Sequence, residues 1–147
     1  MENNSRQQWL SALATADENY LTSLWNNLNI DIEFNWLREP EIGSLMVQGK
    51  AGVTGDNFNV GEVTITRCSI YIDKKIKGHG YVQCRSKNKS KIAALCDALM
   101  QTNKKEIIRR NILDKLAKYK AKKRDEILSK TEATKVDFFT MVRGEDK

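Results

Sequence analysis

The stretch VTITRCSIYIDKKIKGHGYVQCR, residues 63–85, decides how the rest of the chain is read. β-Branched and aromatic residues dominate residues 63–72, as in a strand. Val63 and Ile65 put the apolar side on odd positions, whereas Cys68, Ile70 and Ile72 put it on even ones. Strand side chains alternate strictly, so the slip implies a bulge near Thr66 and Arg67, or a strand buried on both faces. After the polar turn at residues 73–75 the alternation resumes. Gly78, Gly80, Val82 and Cys84 are small or apolar, while His79, Tyr81, Gln83 and Arg85 form a polar row. Such a row is costly to bury unpaired and so faces water, a ligand or a polar interface. A hairpin turn near residue 75 brings Arg67 close to Gln83. Two guanidiniums and an imidazole in one vicinity suit an anionic ligand, because Arg presents a planar fork to phosphate oxygens. An ordinary solvated sheet face gives the same row.

Working back towards the N-terminus, Ile30, Ile32, Phe34 and Trp36 alternate with polar neighbours and read as a half-buried strand. Pro40 and Gly43 mark a turn into a second strand near residues 44–50. Four glycines between Gly49 and Gly61 mark a loop; they match neither GxxxxGK[ST] nor GxGxxG. Ahead of these strands, Trp9, Leu10, Leu13 and Ala14, then Leu21, Leu24, Trp25 and Leu28, recur at helical spacing. Ser5 and Asp17 are the expected N-caps of two short helices or one kinked helix.

Towards the C-terminus, Ile92, Leu95, Cys96, Leu99 and Met100 predict an amphipathic helix capped by Ser90. Helix then continues, with Ile108, Ile112, Leu116 and Tyr119 on one stripe. Residues 104–130 hold 11 Lys/Arg against 4 Asp/Glu, so the chain's net charge of +6 belongs to this segment. A solvated helix surface is the ordinary explanation; nucleic acid or an acidic partner is the other. The final Phe138, Phe139, Met141 and Val142 form a dense apolar cluster, which implies a tail tied to its own domain or to a partner.

These segments add up to an α+β fold: an antiparallel sheet of about four strands with N-terminal and C-terminal helices packed against it. At 147 residues, 40% apolar, one domain spanning 1–147 with its own core is expected. The longest apolar run is the five residues from Ile92 to Cys96, far short of the roughly 20 that cross a bilayer. The N-terminus MENNSRQQW lacks the basic and then apolar stretch of a secretory signal. Cys68, Cys84 and Cys96, an odd number without a CxxC pair, read as buried apolar side chains in a reducing cytoplasm, not as a disulfide framework or a zinc site. A single His allows no confident Ser-His-Asp assembly, and no metal or cofactor is expected.

Four stretches together resemble the PhnG family, small subunits of the bacterial carbon–phosphorus lyase core complex. They are Arg6–Trp9–Leu13 in the opening helix, TGDNFNVGEVTITRC (54–68), GHGYVQCRSKNKSKIAALCDALMQ (78–101) and VDFFTMVRGE (136–145). Family members usually carry Gly where Cys84 stands and Asp where Ser86 stands. The resemblance implies work beside a nucleosidase-like subunit, PhnI, two core subunits, PhnH and PhnJ, and an ATPase-like protein, PhnL. Together these join an alkylphosphonate to C1′ of the ATP ribose and expel adenine, before a radical step on PhnJ breaks the carbon–phosphorus bond. For this chain it implies an accessory cytoplasmic subunit, not active alone. Arg67, His79 and Arg85, and Arg143 if the tail folds back, are then candidates for positioning anionic substrate, with Tyr81 and Gln83 as hydrogen-bonding groups. Asp137, Phe138, Phe139 and Met141, in the interaction tail 136–147, become interface candidates. The alternatives are a nucleic-acid-binding module built on residues 104–130 and, third, a stand-alone enzyme.

Overall fold

A computed structural model describes residues 2–135 apart from Val53 and Lys74. Its elements run α1 (Glu2–Thr15), α2 (Glu18–Leu28), β1 (Asn35–Lys50), β2 (Asn57–Ile72), β3 (Ile76–Val82), α3 (Lys87–Leu99), α4 (Lys105–Ile108), a π-helical segment (Arg109–Leu113) and α5 (Asp114–Ala133). The fold is α+β, an antiparallel sheet of order β1-β2-β3 with helices before and after it.

The sheet has three strands where about four were expected, because β1 runs through both Pro40 and Gly43. As the edge strand, β1 needs no N–H on its outer side, so proline is tolerated there. Register shifts between Trp36 and Glu41 absorb the irregularity. The loop expected from Gly49 to Gly61 shrinks to the short turn between Lys50 and Asn57, and the flanking glycines lie in the strands.

Nor does β2 bulge at Thr66 and Arg67. Its pairing with β3 is unbroken from Thr66↔Val82 to Ile72↔Ile76. The slip in apolar phase has another cause: the two halves of β2 present different faces. Cys68, Ile70 and Ile72 join the main core, whereas Val63 and Ile65 point to the opposite side, Ile65 buried there apart from that core and Val63 half-buried.

Helix α3 is the centre of the molecule. All its residues from Lys89 to Leu99 are buried except the half-buried Lys91. On one side it lies against β3 so closely that a side chain at Gly80 would collide with the Ser90 carbonyl, and one at Gly78 with the Ala94 carbonyl and with Ala98. Leu13 of α1, Leu21 and Leu24 of α2, and Ile108, Ile112 and Leu116 complete the same core. The π-helical turn keeps those last three, each four residues apart, on one stripe.

Capping decides where the helices begin. Asp17 caps α2 as its position implied, accepting from the Tyr20 N–H at 3.1 Å. Ser5, by contrast, lies inside α1, which starts at Glu2. The cap of α3 is Ser86, one turn before Ser90; its hydroxyl accepts from the Lys89 N–H at 3.0 Å. Beyond Leu116 every residue of α5 is exposed, and Tyr119 stacks on Tyr20 with ring centroids 4.5 Å apart.

Candidate functional site

With helices on one side of the sheet, Arg67 and Ser69 of β2 and Lys77, His79 and Tyr81 of β3 face outward. Arg67 lies opposite Tyr81, and Ser69 opposite His79. The register sets Arg67 opposite Tyr81, two residues before Gln83, which follows the end of β3 at Val82. The Arg67 Nε donates to Glu41 Oε1 at 2.6 Å, and Arg38 Nη1 stands 3.5 Å from the same oxygen. Two guanidiniums thus share one carboxylate and leave a local positive charge beside the exposed Tyr81 phenol. The His79 Nδ1 and the Ser69 hydroxyl are 2.9 Å apart and share a hydrogen bond.

The other polar-row residues lie at the far end of β3. Gln83 donates its backbone N–H to the Ala14 carbonyl at 3.3 Å. Arg85 is exposed in the bend before α3, with no side-chain partner among the described residues. The predicted row is therefore split in two: Arg67, His79 and Tyr81 on the open sheet face, Gln83 and Arg85 at the α3 entrance. Arg143 and the interface candidates Asp137, Phe138, Phe139 and Met141 lie outside the described residues.

What fixes the His79 position was not foreseen. Asp97 of α3 is fully buried, and its carboxylate accepts from Arg6 Nε and Nη2, from the Trp9 indole N–H at 2.9 Å, and from the His79 backbone N–H at 2.9 Å. Hydrogen bonding to Asp97, reinforced by its charge, raises the Arg6 pKa, while burial opposes the rise. Asp97 thereby ties α1 to the strand that presents the imidazole. The signal was available: one acid stands in the otherwise apolar run from Leu95 to Leu99.

A second unforeseen feature is Lys89. Its side chain is buried and its Nζ donates to the Ala14 carbonyl at 3.0 Å. It floors a cleft of about 530 Å³ between α1, the α1–α2 turn and α5, whose rim includes Gln83, Tyr119, Lys120 and Lys123. In sequence Lys89 looked like one more charge in KNKSK and gave no signal. Among the described residues no three His, Cys, Asp or Glu side chains come together as a metal site, and no helix is long and apolar enough to cross a membrane.

Arg6 and Trp9 converging on Asp97, with glycines seating β3 on α3, give a physical role to the stretches whose resemblance pointed to one family. The family model for phosphonate metabolism protein PhnG matches residues 4–144. This chain belongs to the PhnG family. It is also 36% identical over 145 residues to the alpha-D-ribose 1-methylphosphonate 5-triphosphate synthase subunit PhnG of Rhizobium meliloti (strain 1021), covering 96% of this chain and 90% of that relative. Neither match supports the nucleic-acid-binding alternative.

The departures from the usual PhnG pattern at residues 84 and 86 now have a local account. Cys84 is not in a left-handed conformation, so its backbone does not require glycine. Ser86 keeps the capping role that Asp fills equally well at a helix N-terminus. Its hydroxyl also donates to Glu18 Oε1, a bond that a carboxylate at residue 86 has no proton to make.

Proposed function

We propose that this chain is an accessory cytoplasmic subunit of a synthase in which an alkylphosphonate displaces adenine from ATP to give ribose 1-methylphosphonate 5-triphosphate. The identity with a named synthase subunit along nearly the whole chain carries this reading. Its partners are the PhnI-like nucleosidase subunit and the further core subunits PhnH and PhnJ.

In that reaction the ribose C1′ becomes oxocarbenium-like while a phosphonate oxygen attacks it. The triphosphate and the phosphonate bring several negative charges together, and fixed cations lower the cost of doing so. Arg67 and Arg85 supply such cations, with His79, Tyr81 and Gln83 as hydrogen-bonding groups. An accessory role suits the acids near these residues, which are already engaged. Glu41 pairs with Arg67, Asp97 accepts four hydrogen bonds, and Glu18 accepts from Ser86.

Co-expression with the same organism's PhnI-like subunit, followed by size exclusion with native mass measurement, tests the reading. One co-eluting complex that gains synthase activity once PhnH and PhnJ are added is the expected result. Full synthase activity of the other subunits without this chain would overturn it.

A further inference from the structure

Among the described residues, strand β2 from Asn57 to Ile65 has only β1 paired beside it, since β3 accompanies it no further than Thr66. The two strands therefore project from the body as an arm. Cross-strand pairing sorts its side chains onto two faces. Ser44, Thr64, Glu62, Gln48 and Asn59 make one face mostly polar, although Ile42 and Met46 share it. The other face carries Leu45, Val47 and Val63, with the buried Ile65 at its base.

Near the tip a bulge between Val47 and Gln48 leaves Val60 as an extra residue. It turns Val60 to the side of Gly49, where a Cβ would lie 2.8 Å from a Val60 methyl and 3.7 Å from the Phe58 ring. The bulge and the glycine thus add two large side chains to the apolar face. Val60 is 63% exposed, Phe58 49% and Leu45 48%. The β1 edge along this stretch, GSLMVQG from Gly43 to Gly49, has neither the charge nor the proline that protects a free edge. At its foot the apolar face runs into the Glu41–Arg67 pair and Tyr81, because Glu41, Gly43, Leu45 and Val47 alternate onto one side.

We propose that this arm is the docking element of the chain, seated in an apolar groove of a different subunit whose own backbone pairs with the free β1 edge. The inference rests on the subunit reading above and names the surface that serves it. Area selects the occupant. Nine residues of two-stranded ribbon make a face about 30 Å by 10 Å, so two copies stacked arm on arm cover only about 300 Å² each. A stable interface takes about 800 Å² per partner. A groove that closes over both faces and both edges of the same ribbon covers on the order of 1,000 Å², which meets that requirement. Docking there also brings the partner's surface to Arg67, Tyr81 and His79, placing them at a subunit boundary.

The test is hydrogen exchange on the full chain, alone and co-purified with the remaining subunits of the same organism's synthase, beside a Phe58→Ser/Val60→Ser variant. Slowed exchange of amides 43–49 in the complex, and affinity at least about 100-fold weaker for a variant that melts like the parent, is the expected result. A complex with unprotected arm amides overturns the arm and leaves the subunit reading standing. A variant that binds as tightly as the parent does the same. A dimer of the isolated chain with the arm already protected assigns the face to a second copy and also overturns the proposal. If the parent forms no complex with any of those subunits, the subunit reading and the arm's occupant fall together. The exchange measurement needs no substitution, so a variant that fails to fold leaves it decisive.

Discussion

Arg6 grips Asp97 through two parallel hydrogen bonds, Nε at 3.1 Å and Nη2 at 2.7 Å, across 91 positions of sequence. The carboxylate is fully buried while the Arg6 side chain is 37% exposed, so the guanidinium keeps part of its hydration and the acid keeps none. Removing the arginine leaves a buried charge held only by neutral donors, Trp9 and the His79 amide.

Arg6→Ala is therefore expected to destabilise the fold by about 3 kcal/mol, and Asp97→Ala by about 3–5 kcal/mol. The two losses should not add, because each removes the same pair. Urea unfolding of both single variants and the double variant reads the coupling. Additivity within about 0.5 kcal/mol would show that the pair is incidental.

The seating of β3 on α3 leaves no room for a methyl group at Gly78 or Gly80, since the obstructing atoms are helix backbone and cannot rotate away. Either glycine changed to alanine should cost more than about 3 kcal/mol. Nothing lies within 4 Å of a Cβ at Gly43, so Gly43→Ala should be nearly neutral. Thermal melts of the three variants compare them directly. Equal melting temperatures would refute the close approach.

Ser86 both caps α3 and donates to Glu18. Ser86→Asp preserves the cap but sets two carboxylates against each other, at an expected cost of about 1 kcal/mol. Glu18→Gln should restore the stability, because the amide donates where the acid could not. A double-mutant cycle showing no coupling would remove the link.

Burial lifts the Cys96 thiol far above its ordinary 9.0, with the Asp97 charge adding to the rise; Cys68 is lifted in the same direction, mainly by burial. The unfolded chain releases these protons near pH 9 while the folded chain keeps them. Stability is thus unaffected by these thiols below about pH 8 and falls above about pH 9, by about 1.4 kcal/mol per pH unit for Cys96. Cys96→Ala should flatten that alkaline slope in denaturant titrations at several pH values. In the native protein a thiol reagent should find the half-buried Cys84 first.

Arg85 is exposed and makes no side-chain bond among the described residues, so its removal has little structural consequence to predict. Arg85→Ala should lower product formation by the assembled synthase about 10-fold or more while assembly stays intact. Unchanged activity would end the case for Arg85 as a substrate-positioning group.

How much of this was legible beforehand follows from which interactions are local. The alternation of glycines and apolar residues against His79 and Tyr81 was readable, because side-chain direction in a strand follows from position alone. Asp17 as a cap was readable for the same reason. Pro40 misled because a proline in a strand is excluded or tolerated according to whether the strand lies at an edge, and edges are set by distant partners. Ser86 and Ser90 were both acceptable caps; the packing of α3 selected the first. Arg67 and His79 could be named as candidates from sequence, but their partners Glu41 and Ser69 came from pairings whose register the sequence did not specify.

The sequence by itself determined the α+β class, a helical opening, the outward polar side of β3, and a family whose stretches can be matched along the chain. Each is encoded in short-range periodicity or in residue order. Only the tertiary structure decided that Asp97 gathers Arg6, Trp9 and His79, that Lys89 is buried, and that β2 is core at one end and arm at the other. Those outcomes depend on groups tens of residues apart meeting in space, where a buried charge must find its donors and an apolar face stays open when no described residue covers it.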